Sequence, residues 1–225
     1  MTTTAAAMDS QAFLSPYLDA IRDGDRRRAF AIIDGARSSG LDLATLYIEV
    51  FQPALREIGR LWQENEISVA DEHLATAITQ AAMARAHESA FTWRSTEGRT
   101  LVAACVDVER HEVGLRMLCD LLDLEGWHTT YLGATVPVES LVAMVKRRRC
   151  DVLALSVALT AHLPRLLAMI DAIKQALGDA RPLIIVGGRP FLDDPELADR
   201  MGADLTATTA VDAVRMLGER VTPRR

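Results

Sequence analysis

Glu109, Arg110, His111, Glu112, Val113 and Gly114 form a short polar block; Ser156 follows after 41 intervening residues, and the pair Gly187-Gly188 after a further 30. The histidine is the metal-ligand candidate of this set. A neutral imidazole binds a metal through one ring nitrogen and needs an outer partner to orient the other. Glu109, two residues earlier on an extended loop, can reach back to that second nitrogen, fix the tautomer and raise the basicity of the ring. Ser156 can add a hydroxyl to the same chain of contacts. Gly114 and the Gly187-Gly188 pair leave backbone uncovered, so that a bulky partner can approach closely. Each block alone also fits an ordinary helix start or turn; together they make a site only if the fold brings them to one edge.

The elements predicted around them do that. Beyond residue 99 short apolar runs at 100–106, 128–132, 151–156, 182–186 and 204–207 read as strands. Helical stretches at 111–126, 138–149, from the third strand to about 177, at 194–201 and at the C-terminal end separate them. Strands that are apolar throughout and alternate with helices predict a five-stranded parallel sheet covered on both faces, a doubly wound α/β domain. Ligands bind such sheets outside the carboxyl ends of the strands, where the strand order reverses. The blocks at 109–114, 156 and 187–188 all fall on that edge.

Before residue 95 the period is helical. Phe13, Tyr17 and Ile21, then Phe30 and Ile33, then Leu46, Val50, Leu55, Ile58 and Leu61 recur at three- and four-residue spacing, enough for four helices. The third is predicted over 43–62 with a kink at Pro53, because proline lacks the amide hydrogen and crowds the preceding turn. The fourth begins at Ser68, which forms a capping box with Asp71, and packs through Ala75, Ala82 and Ala86. The expected organisation is a disordered tail over 1–9, an all-α four-helix bundle over 10–94, a linker at 95–99 and the α/β domain over 99–225.

Glu109-x-His111-x-x-Gly114, Ser156 and Gly187-Gly188 resemble the cobalamin-binding signature Asp/Glu-x-His-x-x-Gly, Ser-x-Leu, Gly-Gly. The resemblance implies a Rossmann-like cobalamin-binding domain with His111 as the lower ligand of a base-off cobalt. Glu109 and Ser156 would support the ring, Gly114 would let the corrin lie close, and Gly187-Gly188 would clear a slot for the nucleotide tail. Leu132-Gly133 and Val157-Ala158 would form the walls. Ala158 stands where the signature has leucine, which trims one contact with the tail.

Trp62, followed after nine residues by Glu72-His73, resembles the Trp-x9-Glu-His motif of CarH-type cobalamin-dependent photoreceptors, whose four-helix bundle caps adenosylcobalamin. The resemblance implies that Trp62 shields the upper axial group while Glu72 and His73 hold its polar edge. There are two departures. No DNA-binding helix-turn-helix fits before the bundle, and the position after Trp62, a histidine in those sensors, is Gln63.

The implied function is a stand-alone light sensor, not an enzyme, that holds adenosylcobalamin, or in a second form methylcobalamin. It would act as a homo-oligomer on a downstream regulatory protein. In the photocobilin sub-type biliverdin would be a second chromophore, although no residue here is identified as attaching one. One alternative is a corrinoid methyl carrier serving a separate methyltransferase, which an indole lid opposes. The other is a regulatory module that binds no cobalamin.

Bulk properties set the outer limits. A chain of 225 residues, 49% apolar and 5% aromatic, can bury a real core. A net charge of −6 lacks the electrostatic footprint of a duplex-binding protein, so direct nucleic-acid contact is not expected. Cys105, Cys119 and Cys150 have no CxxC spacing and read as buried thiols in a reducing compartment. With neither a signal-like N-terminus nor an apolar run of membrane length, the expectation is a cytoplasmic protein.

Overall fold

The computed structural model describes residues 10–91 and 98–222. The expected tail over 1–9 and most of the expected linker lie outside the described residues. The chain divides into two compact units between Phe91 and Thr92.

The first unit is helical. Helices α1 (Gln11–Arg22), α2 (Arg26–Ser38), α3 (Leu43–Thr45), α4 (Gln52–Gln63) and α5 (Val69–Ala90) follow in order, with a π-helical segment, Leu46–Phe51, joining α3 to α4. Polar caps set several starts. Asp25 accepts from Arg28 N–H at 2.9 Å, Asp42 from Thr45 N–H at 2.7 Å, and Ser68 and Asp71 form a reciprocal capping box. Tyr17, Ile21, Ile33, Leu46, Phe51, Ile58, Ala75, Ala82 and Met83 fill the core. Within it the Tyr17 hydroxyl donates to Thr79 Oγ1 at 3.0 Å.

The region around Pro53 differs from the predicted kinked α-helix. The backbone widens before the proline, with Gln52 N–H bonded to Tyr47 O five residues back, and Pro53 falls in the first turn of α4. A π turn absorbs the missing amide donor and the bulk of the ring, where an α turn would be crowded.

The second unit is the doubly wound sheet. β1 (Thr100–Cys105), α6 (Val113–Leu124), β2 (His128–Gly133), α7 (Val138–Arg148), β3 (Val152–Ser156), α8 (Leu163–Leu177) and β4 (Leu183–Gly187) are followed by α9 (Arg189–Asp193), α10 (Leu197–Arg200), β5 (Leu205–Thr206) and α11 (Ala210–Arg220). All pairings are parallel and the order is β2-β1-β3-β4-β5. Successive strand residues point to opposite faces, and both faces of the inner strands β1, β3 and β4 are covered. Val102, Leu153, Leu155, Ile184 and Val186 pack with Leu141, Leu166 and Ile170 of α7 and α8. Leu101, Ala103, Val152, Ala154 and Ile185 pack with Leu118 and Leu122 of α6 and Leu217 of α11.

The single helix expected at 194–201 is instead the pair α9 and α10. Asp194 precedes Pro195 and sits at φ −146, ψ 88, outside the helical region, as residues before proline tend to. Among the described residues no helix is long and apolar enough to cross a membrane.

Candidate functional site

The strand order reverses between β1 and β3, and there Cys105 pairs with Ser156, which pairs with Gly187. The three strands therefore end level, and their loops leave the sheet side by side at the edge where ligands bind this class of fold. Backbone pairing extends one residue further, through Val106 N–H to Ser156 O at 3.2 Å and Val157 N–H to Gly187 O at 3.0 Å.

Glu109 joins these loops. Its N–H turns back onto Val106 O at 2.8 Å, and its carbonyl accepts from Thr135 N–H of the β2 loop at 3.2 Å. Its side chain, 0% exposed, carries the larger role. Oε1 accepts from Arg110 N–H at 2.9 Å, His111 N–H at 3.0 Å and His111 Nδ1 at 2.5 Å. Oε2 accepts from Ala158 N–H at 2.8 Å, Leu159 N–H at 3.3 Å and His162 Nδ1 at 3.0 Å. Burial alone would raise the pKa of this carboxyl. The contacts from the His111 ring and amide, the Ala158 amide and the His162 ring outweigh it and hold the group well below the usual carboxylate range. The group is therefore ionised, and an ionised carboxylate only accepts. Both imidazoles must then carry a proton on Nδ1, and in the neutral ring this leaves the lone pair of His111 on Nε2. The His111 side chain is 56% exposed, so a held, correctly protonated imidazole stands at the rim of the sheet edge.

The neighbours complete the edge. Cys105, its thiol pushed up to about 12 by burial and then by the Glu109 and Glu112 carboxylates, lies with Sγ 3.7 Å from the His111 carbonyl. A Cβ added at Gly114 or Gly187 would meet nothing within 4 Å, so both glycines border open space. Gly188 is different. At φ +117 its added Cβ would lie 1.8 Å from the Val157 carbonyl oxygen, so this glycine lets the β4 loop pack on the end of β3. Gly133, at φ +75, turns beside the Glu112 carboxylate, which accepts from Ala134 N–H at 3.0 Å. Leu132 is half-buried against the α7–α8 face, and Val157 is fully buried in that core. Ala158 contributes its amide to the carboxylate.

The structure thus brings Glu109, His111, Gly114, Ser156, Ala158 and Gly187 to one edge. The Ser156 hydroxyl is not among the partners of Glu109; His162 takes that place. The sequence pattern offered no companion for His162, because its link to Glu109 spans 53 residues and depends on the 3-10 turn Thr160–His162. Val108, Leu159 and Leu192, exposed apolar residues from the β1 loop, the β3 loop and α9, were also not anticipated.

Trp62, Glu72 and His73 belong to the helical unit. Trp62, 42% exposed, lies in the last turn of α4. Glu72 and His73 open α5, with His73 Nδ1 2.5 Å from Glu72 Oε2 and Thr76 donating to Glu72 Oε1 at 3.0 Å.

Among the described residues no group of three or more His, Cys, Asp or Glu is placed to hold a metal ion. One oriented imidazole, open glycine surface and exposed apolar residues on adjoining loops suit a metal that arrives with its own ring of ligands, and a corrin meets that requirement. A family model described as B12 binding domain matches residues 99–215, and a second with the same description matches residues 14–86. The chain belongs to the B12-binding family.

It is 25% identical over 199 residues to trimethylamine corrinoid protein 1 of Methanosarcina acetivorans, covering 87% of this chain and 91% of that protein. It is 29% identical over 153 residues to the HTH-type transcriptional repressor CarH of Myxococcus xanthus, covering 68% of this chain and 50% of the repressor. The solved monomethylamine corrinoid protein of Methanosarcina barkeri shares the fold, with a TM-score of 0.82, 17% identity and coverage of 94% of this chain and 100% of that one.

Proposed function

We propose that the protein is a corrinoid carrier, holding cobalamin with His111 as the lower cobalt ligand and serving a separate methyltransferase. The observation that supports it most is the Glu109 clamp, which accepts from His111 Nδ1, fixes the proton and the ring there, and so leaves Nε2 as the ligating nitrogen. When bound, the corrinoid supplies a cobalt that accepts and releases a methyl group. The chain's own residues bind, orient and shield. Glu109 and its loop amides hold the imidazole, Gly114 leaves room for the ring plane, and Gly187 borders the space that would take the nucleotide tail. On this reading the chain has no catalysis of its own.

The carrier reading displaces the light sensor as first choice because similarity to a trimethylamine corrinoid protein runs nearly the length of both chains, whereas CarH is matched over half its length. The sensor remains the second reading, favoured by the exposed Trp62 with Glu72-His73 at the same end of the bundle. A light-dependent oligomer, a regulatory partner and a bilin belong to that reading alone.

One experiment separates them. Apo-protein is loaded in the dark with adenosylcobalamin or methylcobalamin, and its absorbance and mass are recorded before and after illumination. The carrier reading expects both corrinoids to be retained and the mass to be indifferent to light. A change of oligomeric state on illumination would establish the sensor, and failure to retain any corrinoid would overturn both.

A further inference from the structure

The carboxylate that orients the cobalt ligand is shared by two histidines. His111 occupies Oε1 of Glu109 at 2.5 Å, and His162 reaches Oε2 at 3.0 Å through its own Nδ1. His162 is on a different loop from His111, on the 3-10 turn that follows β3, with its N–H bonded to Leu159 O at 2.9 Å. Its side chain is only 20% exposed. The amides of Ala158 and Leu159 reach the same oxygen, so the turn closes on Oε2 as a unit of two N–H groups and one ring.

The terminal torsion of a glutamate is broad and roughly two-fold, so its rotation is set by all the donors on its two oxygens, and the His162 ring adds a third donor to the Ala158 and Leu159 amides on Oε2. Three donors on Oε1 from one loop and three on Oε2 from another fix its plane. We propose that His162 is a positioning residue for the cobalt ligand: its Nδ1–H on the second oxygen holds Glu109 in the rotation that presents the first oxygen to His111. This rests on the reading of His111 as lower ligand. His162 then supplies the relay contact that the Ser156 hydroxyl does not make, and ties the ligand's orientation to the β3 loop.

The test compares wild type with His162→Asn, His162→Leu and His162→Ala, and uses His111→Ala as control. Asparagine carries its amide nitrogen on Cγ, as histidine carries Nδ1, so it can donate from nearly the same point; leucine fills similar space without a donor. The readouts are the dissociation constant for hydroxocobalamin and the nitrogen splitting in the electron paramagnetic resonance of the cobalt(II) form. Loss of an outer partner of a metal-binding histidine typically weakens the metal site about 10–100-fold. The expected result is weakening of about tenfold in the leucine and alanine variants with an altered nitrogen splitting, and recovery of most of both in the asparagine variant.

Wild-type affinity and splitting in the leucine variant would overturn the proposal, as would equal loss in the leucine and asparagine variants, which would mean that the ring acts by shape. A wild-type spectrum that does not change in His111→Ala would overturn the lower-ligand reading itself, and is recognisable as such. Should the alanine protein fail to fold, asparagine against leucine carries the comparison.

Discussion

Glu109→Gln keeps the shape of the clamp and removes its charge, and the structure fixes what that does. Of the six contacts to the carboxylate, each oxygen takes two backbone N–H groups and one imidazole: Arg110, His111 and the His111 ring on Oε1, and Ala158, Leu159 and the His162 ring on Oε2. A glutamine has one accepting oxygen. Whichever way its amide points, the NH2 group faces two backbone donors that cannot reverse roles, while the histidine beside them can change tautomer and accept. Two part-buried N–H groups therefore lose their acceptor, at about 1–2 kcal/mol each. A loss of about 3 kcal/mol corresponds to a fall of roughly 10 °C in melting temperature for a unit of this size.

The pH dependence has a definite sign. The Glu109 carboxyl is held below its ordinary value when folded, so its contribution is present above about pH 4.3, the unfolded value, and is lost as the pH falls toward the folded one. The melting difference between wild type and Glu109→Gln is expected to be full at pH 7 and to shrink below about pH 4. The assay is thermal and urea unfolding of both apo-proteins across that range. A difference under about 2 °C at pH 7, or one that does not shrink below about pH 4, would refute the reasoning.

Gly188→Ala is expected to fail to fold or to lose more than about 3 kcal/mol, since its Cβ would overlap the Val157 carbonyl at 1.8 Å in a left-handed conformation; urea unfolding and soluble yield report it. Gly187→Ala, with nothing within 4 Å of the added Cβ, is expected to change stability by less than about 1 kcal/mol while weakening corrinoid retention in equilibrium dialysis. Ser68→Ala removes half of the capping box of α5 and is expected to cost about 1 kcal/mol, measured by urea unfolding of the whole chain. Cys105, buried with its thiol raised to about 12, is expected to resist alkylation at pH 8 until the protein is unfolded, as mass spectrometry would show.

Local signals carried much of this architecture. The Ser68–Asp71 cap, the small-residue face at Ala75, Ala82 and Ala86, and apolar runs such as 101–105 are decided by neighbours in the chain, and the structure places each as expected. The strand ends were legible for the same reason, so Glu109 and His111 could be paired from a two-residue separation. What stayed hidden depends on register and loop closure. His162 meets Glu109 across 53 residues because β1 and β3 end level. The role of Gly188 needs the Val157 carbonyl, which sequence spacing does not place. The π turn before Pro53 and the break at Asp194 are backbone answers to proline that helical periodicity does not encode.

The central claim is that His111 donates a nitrogen to cobalt. Protein grown on histidine labelled with nitrogen-15 is loaded with cobalamin, reduced to cobalt(II) and examined by electron paramagnetic resonance. A histidine ligand predicts that the three-line nitrogen splitting of the unlabelled sample becomes two lines, and that His111→Ala abolishes the change. An unaltered three-line pattern in the labelled wild type would mean that the cofactor keeps its own base, and would contradict the account.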